Sequence, residues 1–436
     1  MSTLKVNKLR DTAGSADAIT LDPNGGAVLA RVTTVSTVKV GAGVTISSDG
    51  DVFTTGITTS STVIVGSGVT ISESGIEASG IGITVANING GQFSNRNVII
   101  NGACRVAHRS NLTTAQTGYG AVDRFQVLST GDSRFTLSQN DGPGAQYGLP
   151  SALKFETTTA DCSIAATDYM YLDTRLEGQD LQRFQKGSSD AKQFTLQFWI
   201  KLAVTGTYVV QLFDADNSRH VVANYTVSSA NTWEKKIITF PADTSGTFDN
   251  DNARSLDIRW HFMGGSNYRG GTQQTTWGSI VATNMLEGMG NAVSSTGDNF
   301  ITGMQLEVGP QATSFEHNKF GEDLALCQRY FQVLGGSNGT YDTMSTGACA
   351  STTIAYVPHR LVTSMRATPS FTLLGSASDF MYTRDGGDHT PSAIVYDQAG
   401  KNMIAVKMTG TSLNQDDATR LFNMNTNSGY LMDAEL

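Results

Sequence analysis

The sequence predicts an all-β protein built of antiparallel sandwiches, with one short helix near 322–333. Three observations carry that prediction. Between Thr195 and Phe240, Phe194, Leu196, Phe198, Ile200 and Leu202 alternate with Thr195, Gln197, Trp199 and Lys201. A period of two is that of a strand with one buried face. The composition agrees: 46 glycines, 8 prolines and only 16% charged residues in a chain of 436 suit turn-rich β structure. A repeat of strand-like segments lies near the N-terminus.

Taken in order, residues 1–34 contain Leu4, Val6 and Leu9, with Gly14, Pro23, Asn24, Gly25 and Gly26 as breakers. So little apolar bulk needs a partner surface to order it; a frayed terminus is the plain alternative. Residues 35–95 hold the repeat. STVKVGAGVTIS starts at Ser36 and STVIVGSGVTIS at Ser61, an offset of 25. Each copy is too poor in apolar side chains to close a core, so its Val and Ile face must stack on a neighbour. Three chains wound about one axis would supply that neighbour and make a short trimeric β-shaft. Two hairpins capping the next domain are the simpler reading.

Residues 96–318 carry the densest strand pattern. Segments are expected at 123–129, 133–140, 152–155, 163–176, 208–213, 221–227, 233–240, 256–262 and 301–308. Asp214 to Asn217 is a turn cluster between two of them. Residues 319–436 open with the helix expected over Glu322 to Val333, where Glu322 and Asp323 suit a helix N-terminus and Leu324, Cys327 and Phe331 share a face. Strand-like pieces follow at 352–357, 370–374, 393–396, 403–408 and 429–433, which read as a terminal sandwich.

Several of these segments resemble one family. LEGQDLQRF (Leu176 to Phe184), FTLQFWIKL, TWEKKIITFPADTSGTFDNDNA (Thr232 to Ala253) and GMQLEVGPQATSFEHNKFGEDLALCQRYF (Gly303 to Phe331) resemble the jelly-roll module of tailed-bacteriophage tail-fibre proteins. NVIING (Asn97 to Gly102) is similar to its opening segment, and HRLVTSMRATPSFTLL (His359 to Leu374) to the distal β-domain of such fibres. The match covers roughly residues 96–331, and the outer regions match more loosely. The resemblance implies a homotrimer of the virion tail, made in the host cytoplasm and attached to the tail or an adaptor through its N-terminus. It also implies adhesion to a host surface glycan or receptor.

The totals exclude other classes. A net charge of −9 argues against nucleic acid, which needs clustered Lys and Arg. No run of eighteen apolar residues reads as a membrane span, and the N-terminus lacks a secretory pattern. Cys104, Cys162, Cys327 and Cys349 are scattered without a CxxC pair, so they are expected as reduced, mostly buried thiols rather than zinc ligands.

No cofactor or metal is expected. The histidines at 108, 220, 261, 317, 359 and 389 fall in no metalloprotease motif and flank no nucleophile elbow. Asp214-Ala-Asp-Asn217 and Asp249-Asn-Asp-Asn252 offer calcium-type oxygens, but turn chemistry accounts for both. A polysaccharide depolymerase would carry carboxylates along a long β-helix groove, whereas the repeats hold only Asp49, Asp51, Glu73 and Glu77. The positive signal is a set of aromatic and planar polar residues opposite the apolar faces: Tyr169, Tyr171, Asp173 and Arg175; Trp199; Arg259 and His261; and, in the 264–279 loop, Tyr268 and Trp277. Rings that stack on a pyranose beside groups that bind its hydroxyls make these the expected ligand-binding residues, unless a neighbouring subunit or loop covers the face. Tyr341, Tyr356, Tyr382, Arg384 and His389 are the distal candidates. The expected protein is a non-enzymatic receptor-binding fibre. A depolymerase and a purely structural spacer are the alternatives.

Overall fold

In this computed structural model the described residues are 94–335, 342–384, 386–425 and 428–436, with nine earlier strands described by backbone alone. The chain divides into two units, Met1–Val85 and Ala86–Leu436.

In the first unit each repeat forms one small antiparallel meander. Val38–Val40, Val44–Ile46 and Val52–Thr54 pair in order, and so do Thr62–Val65, Val69–Ser72 and Gly75–Ala78. The repeat therefore encodes a three-stranded unit rather than a hairpin. Lys8–Arg10, Asp17–Leu21 and Ala27–Leu29 make a third such sheet.

In the second unit the alternation read at Phe194 to Leu202 does what its period demands. Leu196, Phe198 and Ile200 point into a core shared with Leu172, Ile258 and Trp260 of a facing sheet. One sheet runs Leu112–Ala115, Arg134–Gly144, Leu149–Thr159, Gly297–Val308, Phe194–Lys201, Glu234–Phe240. The other runs Thr117–Tyr119, Gln126–Ser129, Tyr169–Glu177, Arg254–Gly264, Gly206–Asp214, Arg219–Val227, Gly278–Ser279. All pairings are antiparallel, so this is a two-sheet sandwich. The strand expected from 163 begins at Tyr169, because Asp161 and Asp168 accept the backbone N–H groups of Ser163 (3.0 Å) and Ala165 (2.8 Å) and hold 163–168 as a loop.

The distal sandwich has its own core, from Phe380, Tyr382, Val406, Leu421 and Tyr430 among others. Its larger sheet includes Asp342–Cys349, Phe380–Arg384 and Ala418–Asn423, strands that the sequence pattern did not reveal. The helix is shorter than expected. It spans Phe320–Gln328, with the Glu322 carboxylate accepting the Lys319 N–H at 3.1 Å. Phe331 lies outside it. Phe331–Gly335 is a strand paired with Gly429–Asp433, a partner about a hundred residues away that local periodicity does not register.

The opening and closing segments of the module meet in one joint. Glu307 accepts the Thr313 N–H at 2.8 Å, Glu316 accepts the Asn97 N–H at 2.9 Å, and Asn97 Oδ1 accepts the Leu306 N–H at 3.1 Å. The last strand of the module, the segment after it and the opening segment thus lock together. This also buries Thr195 and Gln197, whose side chains bond Gly309 and Thr313 carbonyls at 2.6 and 2.8 Å. Arg366 of the distal domain bonds the carbonyls of Ala434, Glu435 and Asn252 at 2.9, 2.9 and 3.1 Å.

Candidate functional site

The Tyr169–Glu177 strand and the Arg254–Gly264 strand lie side by side in the second sheet. A register shift between Met170 and Tyr171 sets Tyr171 opposite His261 and Tyr169 opposite Gly264. Such a bulge re-aims side chains at a strand end. A Cβ at Gly264 would stand 2.2 Å from Leu286 Cδ1, so the bare glycine lets Leu286 pack against the strand end. The loop after Gly264 consequently folds close over the sheet and brings Tyr268, Met285 and Leu286 to face Tyr169, Tyr171, Arg259 and His261 across a cavity of about 220 Å³.

Three tyrosines frame it. Tyr169 and Tyr171 stack with centroids 5.5 Å apart and planes 18° from parallel. Tyr268 meets Tyr169 edge-on at 6.0 Å and donates its hydroxyl to the Thr167 carbonyl at 3.3 Å. The Arg259 guanidinium lies 5.2 Å from the Tyr171 ring centre and 4.3 Å from that of Phe213, the placement that a cation takes over an aromatic face. Its Nη2 is 2.7 Å from Asp257. Burial pushes the Tyr171 hydroxyl up to about 12, so it stays neutral. Burial, with Arg259 and then His220 adding to it, holds His261 well below the usual imidazole range. Burial and then the Asp257 charge push Asp173 up to about 6.

Five of the expected residues thus meet in one cavity: Tyr169, Tyr171, Arg259, His261 and Tyr268. The other four do not line it. Asp173 is fully buried. Arg175 is held by Asp173 at 3.3 Å and by the Leu436 carbonyl. Trp199 stands on the outer face of the opposite sheet, packed on Tyr147 at 4.6 Å. Trp277 is buried in the core, donating Nε1–H to the Pro241 carbonyl at 2.9 Å. Trp199 and Trp277, both expected among the ligand-binding residues, stand apart from the tyrosines: strand alternation fixes the face of a sheet but not which sheet, and a loop tryptophan can turn inward. Of the distal candidates Tyr382 is buried, with its hydroxyl donating to Thr411 O at 3.1 Å, Tyr356 is exposed, and Tyr341 lies outside the described residues. Arg384 bonds the Thr411 carbonyl at 2.9 Å, and His389 lies 5.7 Å from the Tyr382 ring.

Sequence reasoning missed Met285, Leu286 and Gln211. The one signal for Gln211 was its position as the lone polar residue between Tyr208 and Phe213; nothing local marked the two loop residues. The calcium-type cluster at Asp214 has a resident cation of the chain itself. Lys186 Nζ is 2.5 Å from Asp214 Oδ2 and from the Gly246 carbonyl, and 3.1 Å from Asp243 Oδ2. Among the described residues no group of three or more His, Cys, Asp or Glu side chains is placed to hold a metal, and no helix is long and apolar enough to cross a membrane.

No family model matches the sequence, and no curated protein matches it. Solved structures do. The enzymatically active domain of bacteriophage CBA120 tailspike protein 4 is 11% identical over 49% of this chain and 21% of its own, with a TM-score of 0.28. A family 11 carbohydrate-binding module from Clostridium thermocellum, in complex with a β-1,3-1,4-mixed-linked tetrasaccharide, is 13% identical over 48% of this chain and 100% of its own, with a TM-score of 0.24. A module named TmCBM61, in complex with β-1,4-galactotriose, is 10% identical over 49% and 99%, with a TM-score of 0.25. Likeness at these scores carries no functional inference for this chain.

Proposed function

We propose that this chain is a tail-fibre protein of a tailed bacteriophage, a homotrimer that adheres to a host cell by holding a surface glycan in the Tyr169–Tyr171–Tyr268 cavity. The cavity carries the reading. Three rings around a concave site, with an arginine and a histidine among its lining residues, suit a sugar: a ring packs on the apolar face of the pyranose, and a few fixed polar groups orient it. None of its seven lining residues is a carboxylate. Glycosidic cleavage uses a carboxylate pair, so this supports binding without covalent chemistry over a depolymerase. The N-terminal residues attach the fibre to the virion tail or an adaptor protein, and the repeats set its reach. Single sites bind weakly, and three copies on several fibres raise the avidity.

The test is binding of the full chain to an array of bacterial surface glycans and neutral oligosaccharides, with Tyr171→Ala as control, together with blocking of phage adsorption by the purified protein. A glycan bound by the parent chain and lost in the variant supports the reading. Turnover of that glycan would favour the depolymerase, and adsorption that the protein cannot block would make the chain a spacer. Light scattering at three times 46.3 kDa checks the trimer.

A further inference from the structure

The outer face of the distal sheet carries positive charge, in a chain whose net charge is −9. The strand Ile354–Arg360 pairs with Met403–Thr409, which pairs in turn with Ala393–Ala399. Ala355, Val357 and His359 are buried, as are Ile404, Val406 and Met408, so the residues between them face outward. Tyr356 then stands next to Lys407, and Lys407 next to Val395. Arg360 lies four residues beyond Tyr356, about 13 Å along the strand at ~3.3 Å per residue. On the other side Ala348 pairs with both Tyr356 and Ala418, and Arg420 follows Ala418 by two residues on the same face. Its guanidinium lies 5.2 Å from the Phe422 ring centre. Arg360 and Arg420 are exposed and Lys407 is half-buried. Tyr356 is 40% exposed, Val395 48% and Met403 51%. Among the described residues none forms an ion pair with Arg360, Lys407 or Arg420. The strands Ile354–Arg360, Met403–Thr409 and Ala418–Asn423 contain no carboxylate, and Asp388 and Asp397 stand in the two edge strands.

We propose that this face is a second binding surface, independent of the tyrosine cavity, and that it takes an acidic polysaccharide laid flat across the sheet. The charge of the face fixes the sign of the ligand. Cations held apart on a flat surface suit a polymer that carries charge at intervals, whereas a single compact anion needs donors that converge on it. Tyr356, set among the three, offers its ring to the apolar face of a sugar. A second copy stacked through the same face would bring Arg360, Lys407 and Arg420 against like charges. A membrane surface would take an amphipathic face with its apolar side chains sunk below the headgroups, and here Val395 and Met403 share one flat sheet face with the cations. Exposed charges pair weakly one at a time, so affinity grows with the number engaged and falls as salt screens them.

The test uses the full chain at low salt, titrated with alginate oligomers long enough to span the three cations and with their carboxyl-reduced counterparts. Arg360→Gln, Lys407→Gln and Arg420→Gln together should weaken alginate binding by about 10-fold or more. Tyr356→Ala should weaken it as well, and Tyr171→Ala should leave it at the parent value. The carboxyl-reduced oligomer should bind parent and triple variant alike, and more weakly than alginate binds the parent. All four distal positions lie on a solvent-facing surface, so an unchanged unfolding midpoint checks that the variants fold. Equal alginate affinity in parent and triple variant would overturn the proposal, as would a parent that binds no alginate. Loss of alginate binding in Tyr171→Ala would move the polymer to the tyrosine cavity and equally overturn it. Two further readouts oppose it: phosphatidylglycerol vesicles held by the parent and released by the triple variant would make the face a membrane contact, and a lower mass of the triple variant by light scattering would make it a contact between copies.

Discussion

The Arg329 guanidinium sits in the fork of the Glu177 carboxylate, with Nε 2.9 Å from Oε1 and Nη2 2.8 Å from Oε2. Tyr330 donates its hydroxyl to the same carboxylate at 2.5 Å. Glu177 ends the Tyr169–Glu177 strand of the module and is fully buried, and Arg329 follows the helix that opens the distal region. One carboxylate therefore ties a strand of the module to the segment that leads into the distal sheets. Glu177→Ala should leave an arginine and a tyrosine hydroxyl unmatched at a buried joint, at a cost of about 3–5 kcal/mol. Chemical denaturation should show that loss, with early protease cutting near residue 330. An unchanged midpoint would mean that the joint is held elsewhere, for instance by Arg109 and Arg124 on Glu435.

Lys186 is buried between Asp214 and Asp243, and its ammonium lies about 5 Å from the Phe248 and Trp277 ring centres. Lys186→Met removes the cation and leaves Asp214 uncompensated, for a loss of about 3–5 kcal/mol. Adding Asp214→Asn should recover part of it, because the stranded charge is then gone. Urea midpoints of the single and double variants read this directly. A double variant no better than the single one would show that packing, not charge, is what Lys186 supplies.

Burial holds His359 of the distal sandwich down to about 4, against an ordinary 6.5. Between those values the unfolded chain takes up a proton that the folded chain refuses. The contribution is therefore full above pH 6.5 and is lost as pH falls toward 4, a total of about 3 kcal/mol. His359→Leu should flatten that part of the profile of stability against pH. Parallel profiles for parent and variant would contradict the assignment.

Cys162 is exposed, whereas Cys104, Cys327 and Cys349 are buried as free thiols. Burial pushes Cys104 up to about 12, and thiolate is the reactive form. One thiol per native chain should react with a disulfide reagent, and four after denaturation. More than one fast thiol in the native protein would show that a core opens readily.

Trp199 and Tyr171 separate the two faces of the module. Trp199→Ala should leave binding at the tyrosine cavity unchanged within about twofold, whereas Tyr171→Ala should weaken it by about 10-fold or more. Equal losses, measured by calorimetry on the same glycan, would place a sugar on the Trp199 face as well.

Much of the fold was legible because strand alternation is a local signal. Phe194 to Leu202 and the segment from Leu256 to Phe262 declared themselves by period two. The strands Asp342–Cys349 and Ala418–Asn423 did not, since their stability rests on each other and on neighbours distant in sequence. For the same reason the local pattern carries the helix on through Phe331, which instead pairs with Asp433.

What the sequence determined by itself was a set of elements, and which side chains of each stand opposite its apolar face. Tyr169, Tyr171, Arg259 and His261 were readable in that way. Tertiary structure decided that the Arg254–Gly264 strand lies beside Tyr169–Glu177 while Phe194–Lys201 joins the other sheet. It also turned Trp277 into the core and carried Leu286 over Gly264. The physical reason is that alternation follows from backbone geometry within one strand. The pairing of strands is settled instead by how whole faces pack, and no short stretch of sequence contains that sum.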